Sequence, residues 1–467
     1  MRVGFAAPAR PTFDVDLAAG FAASAWERLR SMGHELVGSP ELVLDDEAIG
    51  IAAARLGGAS LDALVLVQAT FADASLASRL ADASPAPLLL WAAPEARTGE
   101  RLRLNGFCGI NLAGYRLTRA GRRYRWLYHD PADDGVVDRL AEVLGTAAPP
   151  LPVVTFPPDV DALPGAARDA AAEVVTRLAG TTVGIVGEHP NGFDPCAYDA
   201  ADLADTAGVR ADPVALPELF ARAESADGDQ LEGVHRRVSG SLAGVEDLDP
   251  AGLDRSLRLH LGLRGLAGDR GWSAVATRCW PECFTEFGGA CCAPHALMND
   301  DGIPGCCEAD AYGAVTSLIL QWLGGGPAFV ADLVNLDLVG DTGVLWHCGL
   351  APLAMAAPES TPRATVHSNR RKPLLNEFPL RPGRVTIGRL SQSRGVTRLT
   401  IGGGEMLAQS LPFRGTGGVI RFDRPAAAVM DTIMLEGHEH HYGVVYGDVR
   451  DELRALAAQL RLPVIDL

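Results

Sequence analysis

Glu308, Asp332 and His347 follow one another at separations of 24 and 15 residues, each at the border of an apolar stretch where a side chain can leave the core and face a cleft. Two carboxylates and an imidazole make a hard, oxygen-rich donor set suited to Mn²⁺ or Mg²⁺. Each residue also has an ordinary role open to it. Glu308 comes just before a run with helical spacing (Tyr312, Val315, Ile319, Trp322), and in the first turn it would meet the positive end of the helix dipole. Asp332 interrupts the apolar run PAFVADLVNLDLV, where a carboxylate is either exposed on an edge or coordinated, because an unpaired buried one is costly. His347, ending the short strand VLWH, reads alone as a satisfied core imidazole. Taken together, the three favour a shared site.

Two further groups carry potential chemistry. The segment MLEGHEHHYGVVYGD (434–448) holds His438, His440 and His441; in an extended chain His438 and His440 share a face and His441 points the other way. Seven of the nine cysteines fall between residues 279 and 348. An odd total and the vicinal pairs Cys291-Cys292 and Cys306-Cys307 point to reduced thiols, and the spacings do not match the usual zinc-knuckle pattern. Small buried hydrophobes around a site are the simpler reading.

These residues need a frame. MRVGFAA (1–7) reads as a strand, and 16–32 carries helical spacing through Leu17, Phe21, Ala25 and Leu29. A short strand at 35–37, a helix at 45–56, the doubly buried strand LDALVLVQATF (61–71), a helix from Asp73 and a strand at 87–94 follow. Strands alternating with helices predict a doubly wound unit whose crevice opens at the carboxyl ends of the strands, near Arg10, Gln68 and Trp91. Six prolines in the 20 residues 146–165 mark a linker. A helix at 166–178, a strand at 181–187 and helical patterns at 217–223 and 249–266 then build a second such unit, which runs into Trp280 and the cysteine-rich stretch. Beyond about residue 355, RVTIGRL, TRLTIGG, GEMLAQS and GGVIRFD read as short strands of a small antiparallel barrel or sandwich, closed by a final helix and strand. The expected fold is therefore α/β: two doubly wound, Rossmann-like domains (1–148 and 149–323) followed by an antiparallel β-barrel-like domain (324–467).

Composition narrows the partners. The chain has 467 residues, 48% hydrophobic and 21% charged, with a net charge of −17 that would repel both a phosphate backbone and an anionic membrane surface. No nucleic acid and no membrane partner is expected. The N-terminus meets Pro8, Pro11 and Asp14 before any apolar leader could form, so a cytoplasmic protein is the expectation. Within this acidic chain, residues 101–126 form a basic stretch that reads as a solvated face, or as a surface for an anionic ligand or another subunit.

Glu308, the step of 24 residues to Asp332, the following His347-Cys348-Gly349 and the late His440-His441-Tyr442 before Tyr446-Gly447-Asp448 resemble the L-fucose isomerase and L-arabinose isomerase superfamily over essentially the whole chain. The resemblance implies an aldose–ketose isomerase acting on a monosaccharide, with Glu308 and Asp332 as acid/base pair and, with His441, as ligands of Mn²⁺, Mg²⁺ or Co²⁺. His440 stands as the alternative ligand, and His347 as an additional metal or substrate contact. The resemblance also implies a homo-oligomer, trimer or hexamer, with the site at a subunit interface.

Such residues suit the reaction. Exchange of carbonyl character between C1 and C2 passes through a cis-enediol, whose charge a divalent ion stabilises as a Lewis acid while carboxylates move the proton. Arg10, Gln68, Trp91 and Trp280 are the expected substrate contacts. The cysteine-rich departure from the family pattern and the arginines at 10 and 101–125 suggest an anionic, sulfonated or phosphorylated, sugar. A non-catalytic sugar-binding protein is the alternative, since two α/β lobes around a crevice would serve binding as well.

Overall fold

The computed structural model describes residues 1–467. Its first sheet is fully parallel, in the order β2-β1-β3-β4-β5, from β1 (Arg2–Pro8), β2 (Glu35–Val43), β3 (Ala63–Val67), β4 (Leu88–Ala92) and β5 (Tyr124–Tyr128). Continuous apolar runs such as Ala63–Val67, buried along their whole length, are what a parallel sheet covered on both faces requires. The basic stretch 101–126 contributes the helix Gly106–Arg119 and most of β5. Its arginines are engaged locally: Arg103 pairs with Asp14, Arg116 with Asp194, and Arg122 and Arg125 cap backbone carbonyls. None of these four reaches toward a ligand site.

A second parallel sheet, β7-β6-β8-β9, is built from β6 (Thr182–Val186), β7 (Arg210–Val214), β8 (Ala274–Thr277) and β9 (Gly305–Cys306). Both α/β units thus take the parallel form expected of strands alternating with helices.

The last sheet has nine strands and is mixed rather than purely antiparallel. It runs β12 (Arg363–Thr365), β13 (Leu375–Pro379), β16 (Thr416–Phe422), β11 (Thr342–His347), β10 (Phe329–Asp337), β17 (His441–Tyr446), β14 (Gly383–Ser391), β15 (Arg398–Met406), β18 (Val464–Asp466) in spatial order. β16 also pairs with β15, while the β13–β16 and β15–β18 contacts are parallel. TRLTIGG and GEMLAQS, expected as separate strands, join in one: the glycines that looked like a turn let β15 run close against its neighbours. A Cβ at Gly404 would lie 2.3 Å from the Arg421 carbonyl oxygen.

The middle of this sheet positions the site. In the antiparallel ladder of β10 and β17, Asp332 stands directly opposite His441, and across β11 it stands opposite Trp346. Opposed residues of an antiparallel pair share a face, so Asp332 and His441 project together. Asp332 is therefore not on an edge; it is 6% exposed, within a central strand. One apolar cluster runs from the first sheet (Leu64, Leu90) through the helix Ala311–Gly324 to Phe329 and Val444 of the last, joining the units into one body.

Candidate active site

Glu308 enters from the middle unit. It lies in a tight turn, Cys307–Ala309, with φ of 61° at Glu308 and 55° at Ala309. Two successive non-glycine residues in the left-handed region cost roughly 1–3 kcal/mol each, strain of the kind found where a side chain must be aimed. Glu308 thus precedes the helix instead of occupying its first turn. The helix Ala311–Gly324 is capped by Asp310, whose side chain accepts from the Gly313 N–H at 2.9 Å. A Cβ at position 313 would stand 2.5 Å from Asp310 Oδ2, so the glycine makes room for that carboxylate.

His441 is the hub. Its Nε2 faces two carboxylates, 3.6 Å from Asp332 Oδ1 and 3.7 Å from Glu308 Oε2, while its Nδ1 lies 2.8 Å from Asp310 Oδ2. Asp310 is in turn gripped by both terminal nitrogens of Arg389, a fully buried pair. His440 also reaches the acids, with Nε2 3.1 Å from Glu308 Oε2, and Trp280 donates its indole N–H to Glu308 Oε1 at 3.0 Å. His347 completes a second cluster with Asp332 and His441. The alternation expected across 438–441 fails because the strand begins only at His441: His440 and His441 both turn toward Glu308, whereas His438 bonds to Thr400 at 2.5 Å.

The electrostatics divide the two acids. Burial opposes ionisation of Glu308, but His440, His441 and the Trp280 N–H outweigh it and hold its carboxyl down at about 2. For Asp332 burial wins over the nearby imidazoles and pushes the carboxyl up. Burial likewise opposes ionisation of Asp310, yet Arg389 and His441 keep it well below the usual carboxylate range. Burial and His440 together lower His441. His347, despite burial, is raised to about 9 by Cys348 and Asp332.

The site opens into a cleft of about 760 Å³, space open to solvent included, walled by the first unit (Arg10, Phe71), the second (Trp280, Glu308) and the last (Asp332, His347). Of the expected substrate contacts, Arg10 and Trp280 line this cleft. Gln68 and Trp91 do not: Gln68 is 1% exposed and donates to the Thr70 carbonyl, and Trp91 is wholly buried with its N–H on the His129 carbonyl. Their strands end at the crevice, but both side chains point into packed surroundings. Sequence reasoning missed Asp310, Arg389 and Arg370; the spacing Glu308-x-Asp310 was the one local signal for the first.

The donors fit a divalent cation. Glu308, Asp332, His347, His440 and His441 are buried, and their ligand atoms form groups whose members lie within 4.8 Å of one another. Asp332 Oδ1 is buried without a hydrogen-bond partner. An ionised oxygen so placed is costly unless a cation balances it. His441 meets the requirement for a ligand imidazole whose second nitrogen is fixed by a carboxylate. This buried cluster could hold a metal ion.

Residues 4–148 match the family description "Fucose/sulfoquinovose isomerase, N-terminal domain", and residues 345–467 match "L-fucose isomerase, C-terminal domain". A protein called sulfoquinovose isomerase from Clostridium sp. (strain MSTE9) is 30% identical over 457 residues, 97% of this chain and 96% of its own. Proteins of the same name from Alkalicoccus urumqiensis (28% identical, 87% of this chain and 86% of its own) and Priestia megaterium (26%, 97% and 96%) also match. Among solved structures, the first ketoreductase of the tylosin PKS aligns with a TM-score of 0.24 at 15% identity, covering 66% of this chain and 79% of its own, too low to carry an argument. These matches indicate an aldose–ketose isomerase. The chain belongs to the fucose/sulfoquinovose isomerase family, as a divergent L-fucose isomerase-like member, and the reading as a non-catalytic sugar-binding protein falls away. No helix is long and apolar enough to cross a membrane.

Proposed function

We propose that this chain is a metal-dependent isomerase that converts a sulfonated aldohexose to the ketose, with sulfoquinovose, a glucose bearing a sulfonate on C6, as its substrate. The observation that carries the reading is His441 Nε2 facing two buried carboxylates that line the cleft, one of them with an unpartnered oxygen. Glu308, Asp332 and His441 would hold the ion, Mn²⁺ in first place with Mg²⁺ or Co²⁺ able to replace it. When bound, it would supply Lewis-acid stabilisation of negative charge on the substrate's O1 and O2.

The protein groups handle the protons. Glu308, kept ionised by its neighbours, takes the proton from C2, and Asp332, ionised as a ligand, carries the proton of O2 across to O1. In the second half Glu308 returns its proton to C1, giving the ketose and both groups in their starting state. Asp310 and Arg389 hold His441 in place, and the Trp280 N–H fixes the Glu308 carboxylate. Residues 1–148, 149–323 and 324–467 serve as the three units that close the cleft. The trimer or hexamer implied by the family belongs to the same reading, with a neighbour adding to the rim.

The test is conversion of sulfoquinovose to its ketose, followed by NMR, with Mn²⁺ added and after chelation. Activity is expected with the ion and at background without it and in Glu308→Gln. Turnover that survives thorough chelation would sink the proposal.

A further inference from the structure

Two guanidiniums stand in the cleft without any partner in the chain. Arg10 follows β1, and Arg370 lies in the loop after β12, so two distant parts of the sequence bring them together. Their Cζ atoms lie 4.8 and 5.0 Å from the ring centroid of the same residue, Trp280. Arg10 is further boxed by Phe193 at 5.1 Å and Phe71 at 5.9 Å, and Arg370 rests on Phe284 at 5.3 Å. Neither has a hydrogen-bonding or ion-pair acceptor; Asp73 and Glu308 act on Arg10 only across space.

That arrangement is unlike the rest of the molecule, whose buried arginines each have an acceptor. Arg389 has Asp310, and Arg398 has Glu436. Aromatic rings stabilise a cation from its face but accept none of the five N–H donors that a guanidinium carries around its edge. Two like charges held over one ring, with their donors free, present the fork-shaped hydrogen-bonding edges that suit an oxyanion. Trp280 also fixes the distance to the chemistry. Its N–H binds Glu308 while its ring carries the arginines, so the anion position and the proton-transferring carboxylate lie on two sides of one indole.

We propose that Arg10 and Arg370 form a clamp for the tetrahedral oxyanion on C6 of the sugar, with Trp280 as the spacer that sets C1 and C2 at Glu308. The proposal rests on the reading of the site as an isomerase of an anionic hexose, and it adds the residues that make the enzyme select charge. A sulfonate and a phosphate ester share this chemistry, and the substrates assayed tell them apart.

Arg10→Gln, Arg370→Gln and the double variant are to be compared with wild type on sulfoquinovose, glucose 6-phosphate and glucose. The inhibitor 2,3-dihydroxypropane-1-sulfonate, which carries the anion but no carbonyl, gives a readout independent of turnover. Each single variant should lower the ratio of kcat/KM for the anionic sugar over glucose by about 10- to 100-fold, chiefly through KM, and raise the inhibition constant alike. Arg10→Lys and Arg370→Lys, which keep the charge and lose the fork, should fall between. Folding is monitored by circular dichroism, and the Lys variants serve where a Gln variant does not fold.

A ratio and an inhibition constant that stay at the wild-type value in folded variants overturn the clamp while leaving the isomerase standing. Equal loss on charged and neutral sugars does the same. Wild type without preference for a charged sugar would overturn the substrate reading itself, and the clamp with it. Preference for glucose 6-phosphate that vanishes in the variants supports the clamp and assigns its anion as phosphate.

Discussion

His441 Nδ1 lies 2.8 Å from Asp310 Oδ2, and that contact decides which nitrogen of the ring faces Glu308 and Asp332. Because Asp310 is held ionised by Arg389, it acts as acceptor, Nδ1 keeps the proton, and Nε2 presents its lone pair to the space between Glu308 and Asp332. Asp310→Asn removes this control of the tautomer. We expect a loss of about 10- to 100-fold in Mn²⁺ affinity or activity, measured by metal titration alongside kinetics.

Asp332 carries a different expectation, because one of its buried oxygens has no partner. Asp332→Asn removes a buried charge, so the metal-free protein should melt no lower than wild type. Wild type at about 100 times Kd of Mn²⁺ should gain roughly 2.7 kcal/mol, and the variant should lose most of that gain. Calorimetric scans with and without the ion would show it; equal stabilisation of both proteins would remove Asp332 from the ligand set.

The buried Arg389–Asp310 pair allows stability and catalysis to be separated. Arg389→Met strands a buried carboxylate and should cost roughly 3–5 kcal/mol in denaturant unfolding. The double substitution Asp310→Leu/Arg389→Met should recover most of that stability yet stay impaired in turnover, since His441 remains unanchored.

Cys348 should be the first thiol to react. It is the one cysteine that is not fully buried, and it lines the cleft. Hydrogen bonds from Cys292 and Cys307, with the adjacent His347, hold its thiol well below the ordinary range. Iodoacetamide near neutral pH should label Cys348 ahead of the other eight, and saturating substrate should slow the labelling, as peptide mass spectrometry can follow.

Much of the site could be read in the chain because chemistry and apolar pattern coincide there. Glu308, Asp332 and His347 interrupt or border hydrophobic runs, and the structure brings all three to one cleft. What escaped is set by long-range register and by backbone conformation. Whether His440 or His441 joins the acids depends on where β17 begins, which local alternation could not tell. Gln68 and Trp91 end strands at the crevice, but side-chain direction there depends on packing partners distant in sequence. Arg370 sits in an irregular loop whose path no periodicity encodes, and Gly402–Gly404 looked like a turn because only strand contacts explain why three glycines continue a strand.

The pairing of Asp332 with His441 across neighbouring strands ties the candidate metal site to sheet assembly. A slip of one residue between those strands would send one of the two side chains to the opposite surface. The same hydrogen bonds that lock the strands therefore act as the alignment jig for these two side chains, so a chain that has folded its last sheet correctly has already assembled this half of the candidate metal site.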